Sequence, residues 1–396
     1  MSTNDIDLSS VAFLANPYPT YQRLREAHAP FWLAHGGPTG GMWLVTRYQD
    51  VATLLKEAHT TKDATRVTPP EQVTPFDHNL LSKDPPDHTR LRALANQAFT
   101  PGRVKDLEPR IRQIVDALLA QVQSQGGMEV MADFALPLPV IVIAELLGVP
   151  PEDHDTFHAW SNQMVTGFDA VRRSEATVQH TQDATLALGH YLAELIRRRR
   201  QQPRDDLISA LTLARDAQDR LTEDELLAMC MLLLIAGHET TVNLLGNGLL
   251  TLLRHPTQLA LLKNHPELLP SAVEEMLRFE SPVQRATFRL TTETCEIGGT
   301  TLEQGQQVSA VLSAANRDPT QFSQPDTFDI ARQPNRHFAF GLGIHFCLGA
   351  PLARTEARIG FARLLEQLPN LQLVSQTPDW GTNTFFRGLR TLPVTF

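Results

Sequence analysis

Residues 340–349 read Phe340-Gly341-Leu342-Gly343-Ile344-His345-Phe346-Cys347-Leu348-Gly349. Two glycines precede the cysteine, one follows it, and a histidine lies two residues upstream. Gly341 and Gly343 permit positive φ and close approach of the backbone to a bulky flat ligand. The run from Ala350 to Leu365 reads as a helix, so Cys347 sits at a helix N-terminus. Backbone N–H groups there favour the thiolate, and a thiolate so held is a soft ligand suited to iron. A buried core thiol is the commoner role of a free cysteine, so the remaining motifs have to support a metal.

The chain has 396 residues, of which 42% are hydrophobic, enough to bury a sizeable core. A net charge of −9 argues against nucleic acid as a partner. The basic run Arg197 to Arg200 closes a helical pattern, where cations suit the C-terminus, and reads as a solvated helix end. Three cysteines, at 230, 295 and 347, form no C-x-x-C pair and no disulfide framework, a pattern suited to a reducing cytoplasm. Cys295 falls in a strand signal and reads as core or surface. The polar, acidic N-terminus carries neither a basic nor an apolar targeting segment.

Taken in order, the chain predicts a helix over Pro19–Ala27 and a hairpin of Phe31–Ala34 with Met42–Thr46 around a Gly-rich turn. Residues 59–81 lack periodicity and read as a long, mobile loop. Asp84-Pro85-Pro86-Asp87 starts a helix that puts His88 and Arg92 on one face. Apolar residues from Ile111 to Val122 and the span Phe134–Leu147 predict two more helices. His154 and His158 share a face, but without a carboxylate or cysteine partner they read as a solvated pair. Trp380–Phe396 alternates as an antiparallel hairpin would.

Residues 222–253 form the longest helical pattern, capped by Thr222, followed by Glu223, Asp224 and Glu225, and stopped at His255-Pro256. The helix is apolar all round, so it belongs in a core, the apolar run being too short for a bilayer. Its middle, Ala236-Gly237-His238-Glu239-Thr240-Thr241, is polar and needs a reason. A zinc-protease H-E-x-x-H is excluded because Val242 stands where the second histidine belongs. Oxygen activation fits better: Gly237 leaves room for dioxygen, Thr240 can bond back to the Ala236 carbonyl, bend the helix and open a water site, and Glu239 can relay protons.

The pattern F-G-x-G-x-H-x-C-x-G resembles the haem-binding loop of the cytochrome P-450 family, the haem-thiolate monooxygenases, in particular its soluble bacterial members. Three further segments resemble family motifs in the same order: 84–92, 236–241 and 275–289. The resemblance implies a mostly α fold with small β-sheets (α+β), one domain over residues 1–396, and haem b between the central helix and the cysteine-side helix. It implies Cys347 as the iron ligand, with Ala236, Gly237, Phe340, Gly341 and Gly349 against the cofactor. His88, Arg92, Arg289 and His345 become donors to its two propionates. Thr240 and Glu239 match the acid–alcohol pair, and Ile235, Val283, Ala286, Thr287 and Phe385 fall in the substrate pocket. Residues 59–81 and 161–180, the latter a helix–loop–helix lid, are implied to cover that pocket. Glu275 and Arg278 match the family's buried pair, with Arg332 as third member, whereas Glu194-x-x-Arg197 reads as an ordinary surface pair.

The implied reaction is insertion of one oxygen atom from dioxygen into an apolar small molecule, a terpenoid, steroid, fatty acid or polyketide, by a monomeric cytoplasmic enzyme. No flavin or nicotinamide fingerprint is present, so a ferredoxin is expected as electron donor, docking on Arg90, Arg354 and Arg358. A peroxide-driven peroxygenase and a non-catalytic haem sensor are the rival functions. Thr240 and Glu239 weigh against the first, and the absence of residues for an output domain against the second.

Overall fold

The computed structural model describes residues 6–34, 40–56, 59–63, 65, 73, 75–166, 174–214 and 220–396. The α-helices are α1 (Val11–Ala15), α2 (Tyr18–Glu26), α3 (Tyr48–Leu54), α4 (Asp87–Ala98), α5 (Pro101–Val122), α6 (Pro137–Leu147), α7 (His154–Thr166), α8 (Glu175–Gln201), α9 (Leu207–Leu213), α10 (Glu223–Arg254), α11 (Pro256–Asn264), α12 (Leu269–Phe279), α13 (Leu312–Ala315) and α14 (Ala350–Gln367). The strands are β1 (Phe31–Ala34), β2 (Gly41–Val45), β3 (Thr60–Thr61), β4 (Gly127–Glu129), β5 (Arg289–Thr291), β6 (Cys295–Ile297), β7 (Thr300–Leu302), β8 (Gln307–Ala310), β9 (Gln372–Leu373), β10 (Asp379–Trp380), β11 (Leu389–Thr391) and β12 (Pro393–Thr395).

The central helix α10 organises the core. Thr222 Oγ1 accepts from the Glu225 N–H at 3.2 Å, and the Glu225 carboxylate accepts from the Thr222 N–H at 2.9 Å, a capping box that fixes the helix start. From Leu226 to Leu252 most residues are buried, because α6, α7, α8, α12 and α14 surround the helix. Its length and hydropathy would suit a membrane span, but most of its apolar stretch is covered by these neighbours. The helix is unbroken across Gly237–Thr241.

One sheet, ordered β1-β2-β8-β5-β3, brings the N-terminal hairpin beside strands from the last third of the chain. Met42–Val45 runs parallel to Gln307–Ala310, and Thr60 pairs with Thr291. Three smaller sheets are β10-β11, β4-β12-β9 and β6-β7.

Several expectations need correction. Residues 59–81 are not all loop: Thr60–Thr61 is an edge strand, and Pro75–His78 and Leu80–Ser82 are 3₁₀ turns. Much of the rest of that segment, the tip of the Gly-rich turn and the middle of 161–180 lie outside the described residues. The helix expected from Ile111 starts at Pro101, because Thr100 Oγ1 caps the Arg103 N–H at 3.2 Å and Pro101 occupies the first turn. The span Phe134–Leu147 opens with a π-helical turn over Met131–Ala135, and α6 begins at Pro137. The alternation over Trp380–Phe396 serves two sheets rather than one hairpin: β11 pairs with β10, whereas β12 pairs with β4 and β9. Arg199 is not solvated either. It is buried against Asp206 and donates to the Gly148 carbonyl at 2.5 Å, because the turn into α9 returns Asp206 to the helix end.

Candidate active site

The loop carrying Cys347 is held by its own backbone and by contacts from α4 and α12. The Cys347 N–H donates to the Phe340 carbonyl at 3.0 Å, and the Gly341 N–H to the Phe338 carbonyl at 2.8 Å. Gly341 and Gly343 both adopt positive φ, +72° and +76°, a region open to glycine. A Cβ on Gly343 would also stand 3.0 Å from the Leu55 carbonyl oxygen. From α4, Arg92 Nη1 donates to the Phe346 carbonyl at 2.8 Å. From α12, the Glu274 carboxylate accepts from Arg354 at 2.6 and 2.7 Å and pairs with His337 at 3.1 Å. The Arg354 guanidinium lies 4.4 Å from the centre of the Phe340 ring. Glu274 and His337 thus tie the loop to the helix behind it, a role the sequence reading left out.

Cys347 opens on a cavity with an empty volume of about 1730 Å³, its mouth included. Opposite the loop, α10 lines it with Ile235, Ala236, Gly237 and Thr240. Phe340, Gly341, His345, Gly349, Arg92 and Arg289 line it on the cysteine side, and Val283, Ala286, Thr287 and Phe385 on the wall between. Glu239 and His88 stand behind this lining. Thr240 Oγ1 donates to the Ala236 carbonyl at 3.1 Å. Gly237 differs from expectation: a Cβ there would meet Ile143 Cδ1 at 2.9 Å, so the glycine makes room for α6 as well as facing the cavity.

Cations crowd one edge of the cavity. The His88 and His345 rings meet edge to face at 4.4 Å, and their Nε2 atoms are sealed from solvent with no hydrogen-bond partner among the described residues. Burial, then the charges of Lys62, His88, Arg289 and Arg92, push His345 down to about 2. Burial and Arg289 push the Lys62 ammonium down to about 7, against the pull of Asp84. Lys62 escaped the sequence reading because it lies in an aperiodic segment beside a two-residue strand. Buried cations that depress one another fit an anionic ligand. Burial raises the Cys347 thiol, opposed by the Gly349 and Ala350 N–H groups and by Arg92 and Arg354; an iron ligand would complete that stabilisation. The cavity therefore fits a flat metal-bearing group with acidic substituents on one edge.

Away from the cavity, Glu275 and Arg278 are fully buried and joined at 2.7 Å by two parallel bonds. Arg332 Nε reaches Glu275 Oε1 at 3.1 Å, and Asn335 Nδ2 reaches Oε2 at the same distance. Glu194 and Arg197 form an exposed pair. The expected docking arginines are not equivalent: Arg90 is paired with Glu225 and Arg354 with Glu274, whereas Arg358 is exposed and bonds to the Arg354 carbonyl and to Thr355 Oγ1. The solvated pair expected at His154 and His158 is also corrected. His158 turns inward, with its ring 5.8 Å from that of His238.

A thiolate loop and a polar-centred helix facing each other across one cavity define a haem-thiolate protein. The chain belongs to the cytochrome P450 family, whose model matches residues 9–265 and 262–380. It is 44% identical over 397 residues to cytochrome P450 107B1 of Saccharopolyspora erythraea, covering 97% of this chain and 96% of the relative. The solved structure of the bacillaene polyketide synthase cytochrome P450 PksS of Bacillus subtilis superposes with a TM-score of 0.92 at 41% identity, over 98% of this chain and 99% of that one. P450BioI, solved in complex with an acyl carrier protein bearing hexadec-9Z-enoic acid, superposes with a TM-score of 0.90 at 42% identity, over 98% and 100%. The protein is a P450 oxidoreductase, and its family binds haem b.

Proposed function

We propose that the protein is a cytoplasmic monooxygenase, one catalytic domain over residues 1–396, that hydroxylates an extended apolar molecule of the fatty-acyl or polyketide kind with electrons from a ferredoxin. One observation carries the reading. A single cavity is lined at once by Cys347, by the Ala236–Thr240 turn of α10 and by the cationic edge. PksS and P450BioI, named for a polyketide synthase and a fatty-acyl carrier complex, are the similar structures that point to the substrate class.

Haem bound there supplies electron storage and oxygen activation, which amino-acid side chains cannot. Cys347 would hold its iron, with the thiolate favoured by the Gly349 and Ala350 N–H groups. His88, Arg92, Arg289, His345 and Lys62 would hold the acidic edge of the cofactor. Thr240, anchored on the Ala236 carbonyl, presents its hydroxyl at the cavity wall. Glu239, raised above the ordinary carboxylate range by burial, is poised to carry a proton toward that hydroxyl. Ile235, Val283, Ala286, Thr287 and Phe385 exclude water and orient the apolar chain.

Carbon monoxide added to the dithionite-reduced protein gives the Soret band of thiolate ligation, and Cys347→Ser abolishes it. Retention of that band in the variant would overturn the reading. Titration with saturated fatty acids and with macrolactones, followed by the Soret shift, then separates the two substrate kinds.

A further inference from the structure

Glu239, the acid behind the cavity lining, has a neighbour on a different helix that the proposed chemistry leaves without a task. His158 lies on α7, half-buried, facing α10. Its ring meets that of His238 at 5.8 Å and 76°, and His238 is the residue before Glu239. The bonds of His238 fix its form. Nδ1 lies 3.0 Å from the Leu234 carbonyl, which can only accept, so Nδ1 carries the proton and Nε2 is left as an acceptor. Ser161 Oγ, fully buried on α7, approaches that Nε2 at 3.4 Å. His238 is thereby a neutral peg that seats α7 on α10, and burial holds it down at about 4.

Glu239 is the acid next along the helix. Asn243 Nδ2 holds Oε1 at 3.1 Å, which orients the carboxylate. The charged and titratable groups acting on His158 are His238 and Glu239 from α10 and Asp155 on its own helix. On the α8 side, Tyr191 meets its neighbours Phe157 and Trp160 at tilted ring angles of 59° and 54°, with its hydroxyl on Asp153. His158 thus sits half-buried at the α7–α10 contact, within electrostatic reach of the acid.

We propose that His158 is the outer proton station of this site, exchanging protons with solvent at the α7 surface and reloading Glu239 after it has discharged inward. The step balances. Imidazolium His158 gives one proton to the Glu239 carboxylate, becomes neutral, and takes one proton from water. The inference rests on the reading that Glu239 feeds protons to the cavity, and it adds a residue from a helix outside the four sequence motifs.

The test uses the haem-loaded full chain as wild type, His158→Gln, Glu239→Gln and the double variant. The first readout needs no turnover: ¹³C NMR of the histidine rings follows the pKa of His158. Replacing the Glu239 carboxylate removes a charge that raises His158, so its pKa falls in Glu239→Gln. An unchanged value overturns the proposal. The second readout is NADPH consumption with a plant-type ferredoxin and its reductase, with myristic acid as probe, in H₂O and D₂O. His158→Gln slows it roughly tenfold and enlarges the solvent isotope effect, while the Soret shift produced by the probe is unchanged. The double variant is no slower than Glu239→Gln. If Glu239→Gln is slow and His158→Gln matches wild type, the outer station is wrong and the role of Glu239 stands. If Glu239→Gln itself matches wild type, the parent reading falls and takes this inference with it.

Discussion

His88 and His345 show what a missing partner means at the scale of single residues. Each buries a ring nitrogen with nothing bonded to it among the described residues, a state that costs free energy unless a ligand completes it. His88→Ala and His345→Ala should each speed haem loss to apomyoglobin by roughly tenfold, the equivalent of one charge-assisted hydrogen bond. Loss at the wild-type rate would remove them from the cofactor's edge. Arg278 is the opposite case, a fully buried cation with its partners in place. Arg278→Ala strands the Glu275 carboxylate in the core and should lower stability by about 3–5 kcal/mol, seen as a fallen urea midpoint. Glu275 and Arg278 were legible only through the resemblance to the family's buried pair, because Glu194 and Arg197 share their spacing and are exposed. Arg332 was found by order along the chain. Asn335, which completes the Glu275 carboxylate, was not, because nothing local marks an asparagine in a loop as a partner for a helix many residues away.

Among elements, the link between α12 and the cysteine loop is the sharpest case. Burial alone would raise Glu274, but the bonds from Arg354 and His337 hold it at about 2, against an ordinary 4.5. A carboxyl depressed in this way stabilises the fold fully above the ordinary value and loses that contribution as pH falls from about 4.5 toward 2. Glu274→Gln should therefore cost about 1–2 kcal/mol at pH 7, after allowance for solvent screening, with the gap from wild type closing through that window. Urea denaturation at pH 7, 4 and 3 measures it, and a constant gap refutes the assignment. The long helices were readable because apolar period and caps agree, as at Thr222. The short strands were not: two residues at Thr60–Thr61 carry no period, and their place is set by Thr291 across the sheet.

On the scale of the whole molecule, the proposed docking of an electron donor on the cysteine side is testable through Arg358. Arg358 is exposed and bonded to no carboxylate in the described contacts, whereas Arg90 and Arg354 are already paired with acids. Arg358→Glu should slow reduction by an acidic ferredoxin several-fold at low salt, less so at high salt, and leave the substrate-induced Soret shift untouched. Reduction at the wild-type rate would move the docking face elsewhere. Arg354→Glu makes a poor probe, because it sets a second carboxylate beside Glu274 and loosens the loop itself.

The five-stranded sheet also bears on when the site comes into being. Its neighbours are distant in sequence: Thr60 meets Thr291, and Met42 meets Gln307. Closing loops of that length delays pairing, and non-local strands form slowly. Cys347 and α14 are contiguous and need no such closure. Lys62 and Arg289, at the ends of β3 and β5, reach the cavity through that pairing. A full-length chain refolding from denaturant therefore forms its cysteine loop before Lys62 and Arg289 meet, and cofactor capture becomes firm at the sheet's closure rather than at the loop's formation.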